Sequence, residues 1–355
     1  MAVNYAHELE LLVKLVTERD ASDLHFSVGR HPTLRVLGDL EPIPDKPILT
    51  TEDVMGFAKV VANEHRLEIF EEQLEADFSY EDAGGNRFRG HIFNQKEKPG
   101  IVMRYIPQVI RTIEELNLPP ILYSFAQKRQ GFFLCVGPVG QGKSTTLAAM
   151  VDYINQNRAE HIVTIEDPIE YVYEPKKSMI DQREVGVDTY TFQDGLSSAF
   201  RQDVNVILIG EMRNRDTIST AVTAAETGHL VLSTLHTNNA AQTINRIIDT
   251  FPGSVQDQIR VQLAGSLAGI FSQRLIPRID GGLIPAYELL VNNSAVSNLI
   301  REDRIHEINA VIETGLEHGM IDMNRSLVDL VKKGIISVED AFAHSFNPKA
   351  LERLI

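Results

Sequence analysis

A glycine-rich segment followed by lysine and serine is the strongest chemical signal in the sequence. Residues 137–144 read Gly-Pro-Val-Gly-Gln-Gly-Lys-Ser and match the pattern G-x-x-x-x-G-K-[ST] in full. The glycines allow the backbone to wind so that several N–H groups point at phosphate oxygens. In this pattern the lysine reaches the β- and γ-phosphates, and the serine hydroxyl is a ligand of Mg²⁺. The predicted ATP-binding residues here are Gly137, Pro138, Val139, Gly140, Gln141, Gly142, Lys143, Ser144 and Thr145.

Two acidic residues follow short apolar segments downstream of this loop. Glu166 comes directly after residues 162–165, and Glu211 follows residues 206–209 and Gly210. Because open α/β sheets bind ligands at the carboxyl ends of their strands, both carboxylates are candidates for the site. Glu211 is predicted to orient or deprotonate the attacking water, and Glu166 to help hold Mg²⁺ or to act as a second base. The alternative for each is a solvated carboxylate at the end of a strand.

Two histidines lie at the ends of another apolar segment, residues 230–235. An extended chain rises about 3.3 Å per residue, so seven steps separate the two by roughly 23 Å and one metal ion cannot join them. His236, at the carboxyl end, is predicted to sense the γ-phosphate. His229 is predicted to contribute to the nucleotide site, with a structural or interface role as the alternative.

The elements that must position these residues alternate between strands and helices. Strands are predicted at 131–136, 162–165, 206–209 and 230–234, and helices from Lys143 and over 217–226. Such alternation predicts a parallel sheet covered by helices on both faces. The last part of the chain is expected to be mostly helical, with one buried stripe of residues spaced four apart: Ile259, Leu263, Leu267 and Phe271.

The first 106 residues predict a separate, smaller α+β domain. Its predicted elements are a helix near 9–16, strands near 24–27 and 33–37, and a meander over 77–80, 87–93 and 101–106. Alternation along 87–93 places Arg87, Arg89 and His91 on one face of the strand. Residues 107–120, which end in Leu-Pro-Pro, predict a linker and hinge before an ATPase domain at 121–355.

The composition and charge of the chain disfavour several kinds of partner and site. The chain has 355 residues and a formal net charge of −15, which disfavours nucleic acid as the main substrate. Its single cysteine, Cys135, excludes an internal disulfide and a CxxC zinc module. No apolar run approaches the roughly 18 residues that a membrane span requires, so we expect a cytoplasmic protein without direct membrane insertion.

Several segments together resemble the secretion-ATPase superfamily, and most closely its branch of type IV pilus retraction ATPases. The resemblance covers nearly the whole chain. Residues 21–25, Ala-Ser-Asp-Leu-His, and 86–89 are similar to its N-terminal signatures. Residues 161–170, 209–213 and 227–237 resemble its Asp box, Walker B element and His box, and residues 295–302 a C-terminal motif associated with retraction. Departures are Gln141, where serine is usual, and Val296 and Ser297 in the C-terminal motif.

The resemblance implies a RecA-like P-loop core with a smaller PAS-like N-terminal domain. It also implies a homohexameric ring that couples ATP hydrolysis to pilus disassembly and twitching motility. Such a ring would act peripherally to the inner membrane, at the pilus base, on an integral-membrane platform protein. Cationic side chains of the N-terminal domain are implied to reach the nucleotide, and Arg87, Arg89 and Arg104 are the candidates; the alternative is solvated strand arginines.

Three other functions remain as alternatives. A pilus assembly or type II secretion ATPase resembles a longer version of the chain, usually with a four-cysteine zinc module. A DNA-translocating RecA-like motor is disfavoured by the charge and by the absence of an aromatic and basic groove pattern. A ring scaffold that uses nucleotide as a switch is suggested by Gly210, which stands where many P-loop enzymes have an aspartate for Mg²⁺.

Overall fold

The computed structural model describes residues 3–36, 38–106 and 109–355. The chain divides into two compact units, one of Met1–Val109 with Pro168–Val172 and one of Ile110–Asp167 with Tyr173–Ile355. Of the predicted linker, Pro107 and Gln108 lie outside the described residues. Residues 110–120 belong to the second unit, where Ile113 and Leu118 are buried.

Within the described residues, the first unit contains a six-stranded antiparallel sheet and three helices. In chain order its elements are α1 (Tyr5–Glu18), β1 (Ala21–Ser27), β2 (Thr33–Val36), β3 (Asp39–Pro42), α2 (Thr51–Val61), α3 (Glu64–Gln73), β4 (Glu75–Glu81), β5 (Arg87–Gln95) and β6 (Lys98–Ile106). The strands lie in the order β3-β2-β1-β6-β5-β4. The core is formed by apolar side chains from the helices and from one face of the sheet.

The meander predicted for this unit is confirmed by β4, β5 and β6, which pair in sequence as antiparallel strands. Within β5, Phe88 and Ile92 are fully buried, whereas Arg89 on the other face is exposed. This alternation is the expected result of a strand that packs one face on a core. The prediction of a cationic face on β5 is therefore confirmed.

The second unit contains a seven-stranded sheet and eleven α-helices within the described residues. In chain order its elements are α4 (Ile121–Ala126), β7 (Gly131–Val136), α5 (Lys143–Asn157), β8 (His161–Glu166), β9 (Met179–Glu184), α6 (Phe192–Ala199), β10 (Val206–Ile209), α7 (Arg215–Glu226), β11 (Leu230–Leu235), α8 (Ala240–Asp249), α9 (Gly253–Ser266), β12 (Leu267–Pro277), β13 (Leu283–Val291), α10 (Ser294–Arg301), α11 (Ile308–Thr314), α12 (Met323–Lys332), α13 (Val338–His344) and α14 (Pro348–Glu352), with short 3₁₀ helices at Ile305–Glu307 and Leu316–His318.

The order of the strands brings distant parts of the sequence to one edge of the sheet. The order is β13-β12-β7-β11-β10-β8-β9, and all neighbours are parallel except β12 and β13. The register pairs Ile209 with Ile165 and Leu235 with Val136, so β7, β8, β10 and β11 end side by side. The residues that follow these strands therefore meet at one edge, as predicted. Sequence patterns missed β9 and β13.

The helical stripe predicted over residues 259–271 is wrong in its second half. Ile259 and Leu263 lie on α9, but the helix ends at Ser266 and Leu267 begins β12, which also contains Phe271. Nearly every residue of β12 is buried because the strand lies inside the sheet between β7 and β13. A strand buried on both faces lacks polar alternation, so its apolar residues match helical spacing by coincidence.

No helix in the described part of the chain is long and apolar enough to cross a membrane.

Candidate nucleotide site

The glycine-rich loop joins the carboxyl end of β7 to the amino end of α5. Gly140 and Gly142 have φ values of 77° and 74°, in the left-handed region that favours glycine. A Cβ atom on Gly142 would lie 2.9 Å from Gln273 Nε2, so this position also favours a residue that has no side chain. Gly142 caps α5 without any side-chain hydrogen bond to the helix end. The first turn of α5 thus presents backbone N–H groups and the positive end of its dipole to the loop.

Lys143, the first residue of α5, is buried within this arrangement. Its Nζ donates to Pro138 O at 2.8 Å and lies 3.3 Å from His236 Nδ1. A lysine ammonium only donates, so in a hydrogen bond between these two atoms Nδ1 is the acceptor. These contacts hold the ammonium between the glycine-rich loop and the residue that follows β11.

Glu211 lies next to the same histidine. Its Oε1 is 3.5 Å from His236 Nε2, and its Oε2 accepts a hydrogen bond from Arg213 Nη2 at 3.0 Å. Burial acts to raise the pKa of Glu211, but the hydrogen bond and charge of Arg213, with the nearby histidine and lysine, outweigh it and the pKa is lowered. Glu211 is therefore an ionised carboxylate near neutral pH, which a group that accepts a proton from water must be.

We refer to Lys143, His236 and Glu211 as the Lys–His–Glu cluster. Its members follow β7, β11 and β10, three adjacent strands, so the common strand edge explains their proximity. All three residues were predicted from the sequence, but no sequence pattern indicated that His236 would contact both others. No role was predicted for Arg213, although this residue is only two positions beyond Glu211.

Glu166 ends β8, next to the strand that precedes Glu211. The side chain is 6% exposed, and its Oε1 accepts a hydrogen bond from Thr164 Oγ1 at 2.7 Å. Gln182 Nε2 lies 3.4 Å from the same oxygen. The structure thus holds Glu166 by neighbouring polar side chains at the edge where the other strands end.

The remaining loop residues differ in their exposure. Val139, at the tip, is 80% exposed, whereas Gln141 is anchored by its side chain to β12. Ser144 and Thr145 follow Lys143 in the first turn of α5 and are partly buried. All nine predicted loop residues therefore lie in one continuous segment between β7 and α5.

The structure does not bring His229 to the cluster. His229 precedes β11, at the amino end of that strand, whereas the loop and His236 lie at the carboxyl end. Its Nδ1 is 3.0 Å from Ala224 O, and its ring packs edge-on against Phe200. These contacts agree with the structural alternative for this histidine.

The three nominated arginines lie in the first unit, each beside a carboxylate. Arg104 Nε donates to Asp23 Oδ1 at 2.9 Å. Arg87 Nη1 lies 3.5 Å from Glu81, and Arg89 Nη1 lies 3.8 Å from Glu170. Asp23, which is almost fully buried, belongs to the residue 21–25 signature and forms the shortest of these three pairs.

The loop and its surroundings fit a nucleotide with Mg²⁺. A helix end without a side-chain cap, glycines in the left-handed region and a lysine held in the loop are the features that bind phosphate groups. Ser144 and Glu166 offer oxygen ligands, which Mg²⁺ prefers, and this ion usually keeps several waters and substrate oxygens in its shell.

Comparisons with known proteins agree with this chemistry. Residues 99–283 match the sequence model of the type II/IV secretion system protein family. The chain belongs to this family.

Two relatives cover most of both chains. The twitching motility protein of Neisseria gonorrhoeae is 46% identical over 90% of this chain and 86% of its own. The type IV pilus retraction ATPase PilT of Pseudomonas aeruginosa is 45% identical over 93% of this chain and 96% of its own. A crystal structure of the pilus retraction motor PilT with bound ADP superimposes with a TM-score of 0.90 at 43% identity, covering 96% of this chain and 98% of that one.

Family membership confirms the predicted RecA-like core with a smaller N-terminal domain. It also confirms that the chain is an ATP hydrolase of the secretion-ATPase superfamily, in the branch that contains the pilus retraction ATPases.

Proposed function

We propose that this chain is the subunit of a homohexameric motor that couples ATP hydrolysis to type IV pilus retraction. The observation that carries the proposal is the Lys–His–Glu cluster, in which a phosphate-binding lysine and an ionised carboxylate flank one histidine. The relatives named for twitching motility and pilus retraction support the biological role.

ATP binds with its phosphates in the loop between β7 and α5. The backbone N–H groups of the loop and of the first turn of α5 donate to phosphate oxygens, and Lys143 supplies a positive charge beside the transferred group. Ser144 and Glu166 would hold Mg²⁺, which would neutralise part of the phosphate charge.

Glu211 orients the attacking water and accepts its proton. Its lowered pKa keeps the carboxylate ionised, and His236 lies between it and Lys143. Loss or gain of the γ-phosphate changes the charge beside Lys143, and His236 transmits this change to the Glu211 side of the cluster.

Arginines of the first unit respond to the nucleotide. Arg87, Arg89 and Arg104 now pair with carboxylates, and an exchange of these partners for phosphate would link the nucleotide state to a rotation of the units. We place the hinge within residues 107–120. The ring acts in the cytoplasm, at the inner-membrane base of the pilus, on an integral-membrane platform protein.

Steady-state ATP hydrolysis by the wild-type protein and by Glu211→Gln, with oligomer size measured on the same samples, tests the enzymatic part. We expect a hexamer in both and a fall in kcat of about 10²-fold or more in the variant, with ATP binding retained. Glu174→Gln, an exposed glutamate far along the chain from the cluster, is the control. Equal, slow turnover in both forms would instead support a nucleotide-switched scaffold.

Retraction is tested in cells of the source organism that lack this gene. Complementation with the wild-type chain should restore twitching and shortening of surface pili, whereas Glu211→Gln should leave pili extended. If pili fail to assemble without the gene, the chain is an assembly ATPase and the retraction assignment is wrong.

A further inference from the structure

Gln273, a buried residue of β12, joins the two ends of the phosphate-binding segment. Its Nε2 donates to Gln141 O in the loop at 2.8 Å, and its Oε1 accepts from Thr146 Oγ1 on α5 at 2.7 Å. The side chain is 2% exposed. The single amide group of Gln273 thus pairs with the carbonyl of Gln141, before Lys143, and with the hydroxyl of Thr146, after it. These two partners are 132 and 127 residues from Gln273 along the chain.

Gln141 returns a second hydrogen bond to the same strand. Its Oε1 accepts from the backbone N–H of Leu275 at 2.7 Å. The paired register of β7 with β12 runs to Val136 opposite Ser272, and β12 continues beyond it to Pro277. The loop therefore lies along the extension of β12, where Gln141 takes the place of a strand neighbour. We call Gln141, Gln273 and Thr146 the loop clamp.

The other face of β12 holds the chain that follows His236. Successive side chains of a strand point to opposite faces, so Ser272 and Arg274 face away from Gln273. Ser272 Oγ donates to Asn238 O at 2.7 Å, and Arg274 Nη2 donates to Asn238 Oδ1 at 2.9 Å. Asn238 is thus fixed through both its backbone and its side chain, two residues beyond His236.

These contacts carry consequences for the Lys–His–Glu cluster. Lys143 is two residues beyond Gln141 of the loop clamp, and His236 is two residues before the clamped Asn238. Three consecutive residues of one strand therefore hold the two segments whose side chains meet at 3.3 Å.

We propose that β12 is the positioning element of the nucleotide site, with Gln273 setting the phosphate-binding conformation of the loop and Ser272 and Arg274 setting the position of His236. The inference deepens the proposed function and rests on it. Gln273 acts on nucleotide affinity through the loop backbone. The contacts to Asn238 act on turnover through His236.

Two variants separate the halves of the proposal. Gln273→Ala removes both bonds of the amide, and we expect ADP to bind about tenfold more weakly. The affinity for AMP, which lacks the phosphates that the loop holds, should fall by less than about twofold. Asn238→Ala removes the acceptor of Arg274 from an exposed residue, and kcat should fall about tenfold with KM for ATP within about twofold of wild type.

The measurements are ADP and AMP affinity by calorimetry and steady-state kinetics on the assembled protein, with the unfolding midpoint recorded for each variant. Gln258→Ala and Asn309→Ala, both exposed, are the matched controls. If Gln273→Ala does not assemble, Gln141→Ala removes only the Leu275 bond and should weaken ADP binding about threefold.

Each outcome decides one part of the proposal. Selective loss of ADP over AMP, with the kcat effect of Asn238→Ala, supports it. Wild-type ADP affinity in the Gln273→Ala protein overturns the clamp, as does an equal loss for both nucleotides. Wild-type kcat in Asn238→Ala overturns the second half. A wild-type chain that binds no ADP would overturn the proposed function, and the inference with it.

Discussion

Lys143 Nζ lies 3.3 Å from His236 Nδ1, although 93 residues separate them along the chain. The contact places the lysine of the glycine-rich loop and the carboxylate of Glu211 on opposite nitrogens of one imidazole. In the proposed mechanism, a change of charge at the phosphate beside Lys143 would thus reach Glu211 through two contacts, Lys143 to His236 and His236 to Glu211.

Replacement of Lys143 by alanine removes the buried positive charge of the loop. We expect ADP affinity to fall about 100-fold or more, because charge-assisted hydrogen bonds contribute about twice as much as neutral ones. Equilibrium binding of a fluorescent ADP derivative measures the loss. Lys177→Ala, an exposed lysine outside the loop, should bind ADP as the wild type does. Retained affinity in Lys143→Ala would remove the loop from the binding site.

Replacement of Arg213 by alanine should shift the pH dependence of hydrolysis. Arg213 lowers the pKa of Glu211 by its hydrogen bond and charge, so its loss raises that pKa. The proposed role of Glu211 requires the ionised carboxylate, so the acid limb of the kcat profile should move to higher pH. The control is Arg215→Ala, whose guanidinium pairs with Asp216. An unmoved acid limb would mean that Glu211 does not limit turnover.

Two glycines of the loop allow the cost of a positive φ to be compared with and without an added side-chain contact. Both Gly140 and Gly142 have positive φ, but a Cβ on Gly140 would meet nothing within 4 Å, whereas one on Gly142 would lie 2.9 Å from Gln273 Nε2. Gly140→Ala should lower the free energy of unfolding by about 1 kcal/mol, because alanine disfavours the positive φ. Gly142→Ala should lower it by about 2–3 kcal/mol, because its Cβ also contacts Gln273. Denaturant unfolding compares the two. Equal losses of unfolding free energy in the two variants would show that the Gln273 side chain moves aside at no measurable cost.

Glu288 should make stability depend on pH. Burial raises the pKa of Glu288 from 4.5 to about 7, and the side chain accepts a hydrogen bond from Ala240 N. The folded state holds the proton over this range while the unfolded state releases it, so stability should fall as pH rises from about 4.5 to about 7. The contribution is about 3 kcal/mol.

The neutral analogue Glu288→Gln keeps an acceptor for Ala240 N and removes the ionisation. We expect it to be more stable than the wild type above pH 7 and to flatten the pH dependence of unfolding. Glu313→Gln, an exposed position on α11, should leave the slope unchanged. If the free energy of unfolding of Glu288→Gln depends on pH as steeply as that of the wild type, another group causes the pH dependence.

Local patterns in the sequence were sufficient to predict the phosphate loop and the strands that lead to it. The loop motif occupies eight consecutive residues, and its chemistry depends on backbone freedom and side chains within that segment. The buried strands β7 and β10 are short apolar runs between polar turns, and both were predicted with their observed bounds. Glu211 and His236 became candidates because His236 directly follows such a run and Glu211 follows one after the single residue Gly210.

Only the tertiary structure decided which of these residues meet. Strand order is not sequence order here: β11 lies between β7 and β10, which places His236 between Lys143 and Glu211. The same order puts β12 beside β7, so that Gln273 reaches the loop and Leu267 is a strand residue where local spacing indicated a helix. Local periodicity records which side of a segment is buried, whereas contacts between distant residues depend on how whole strands pair.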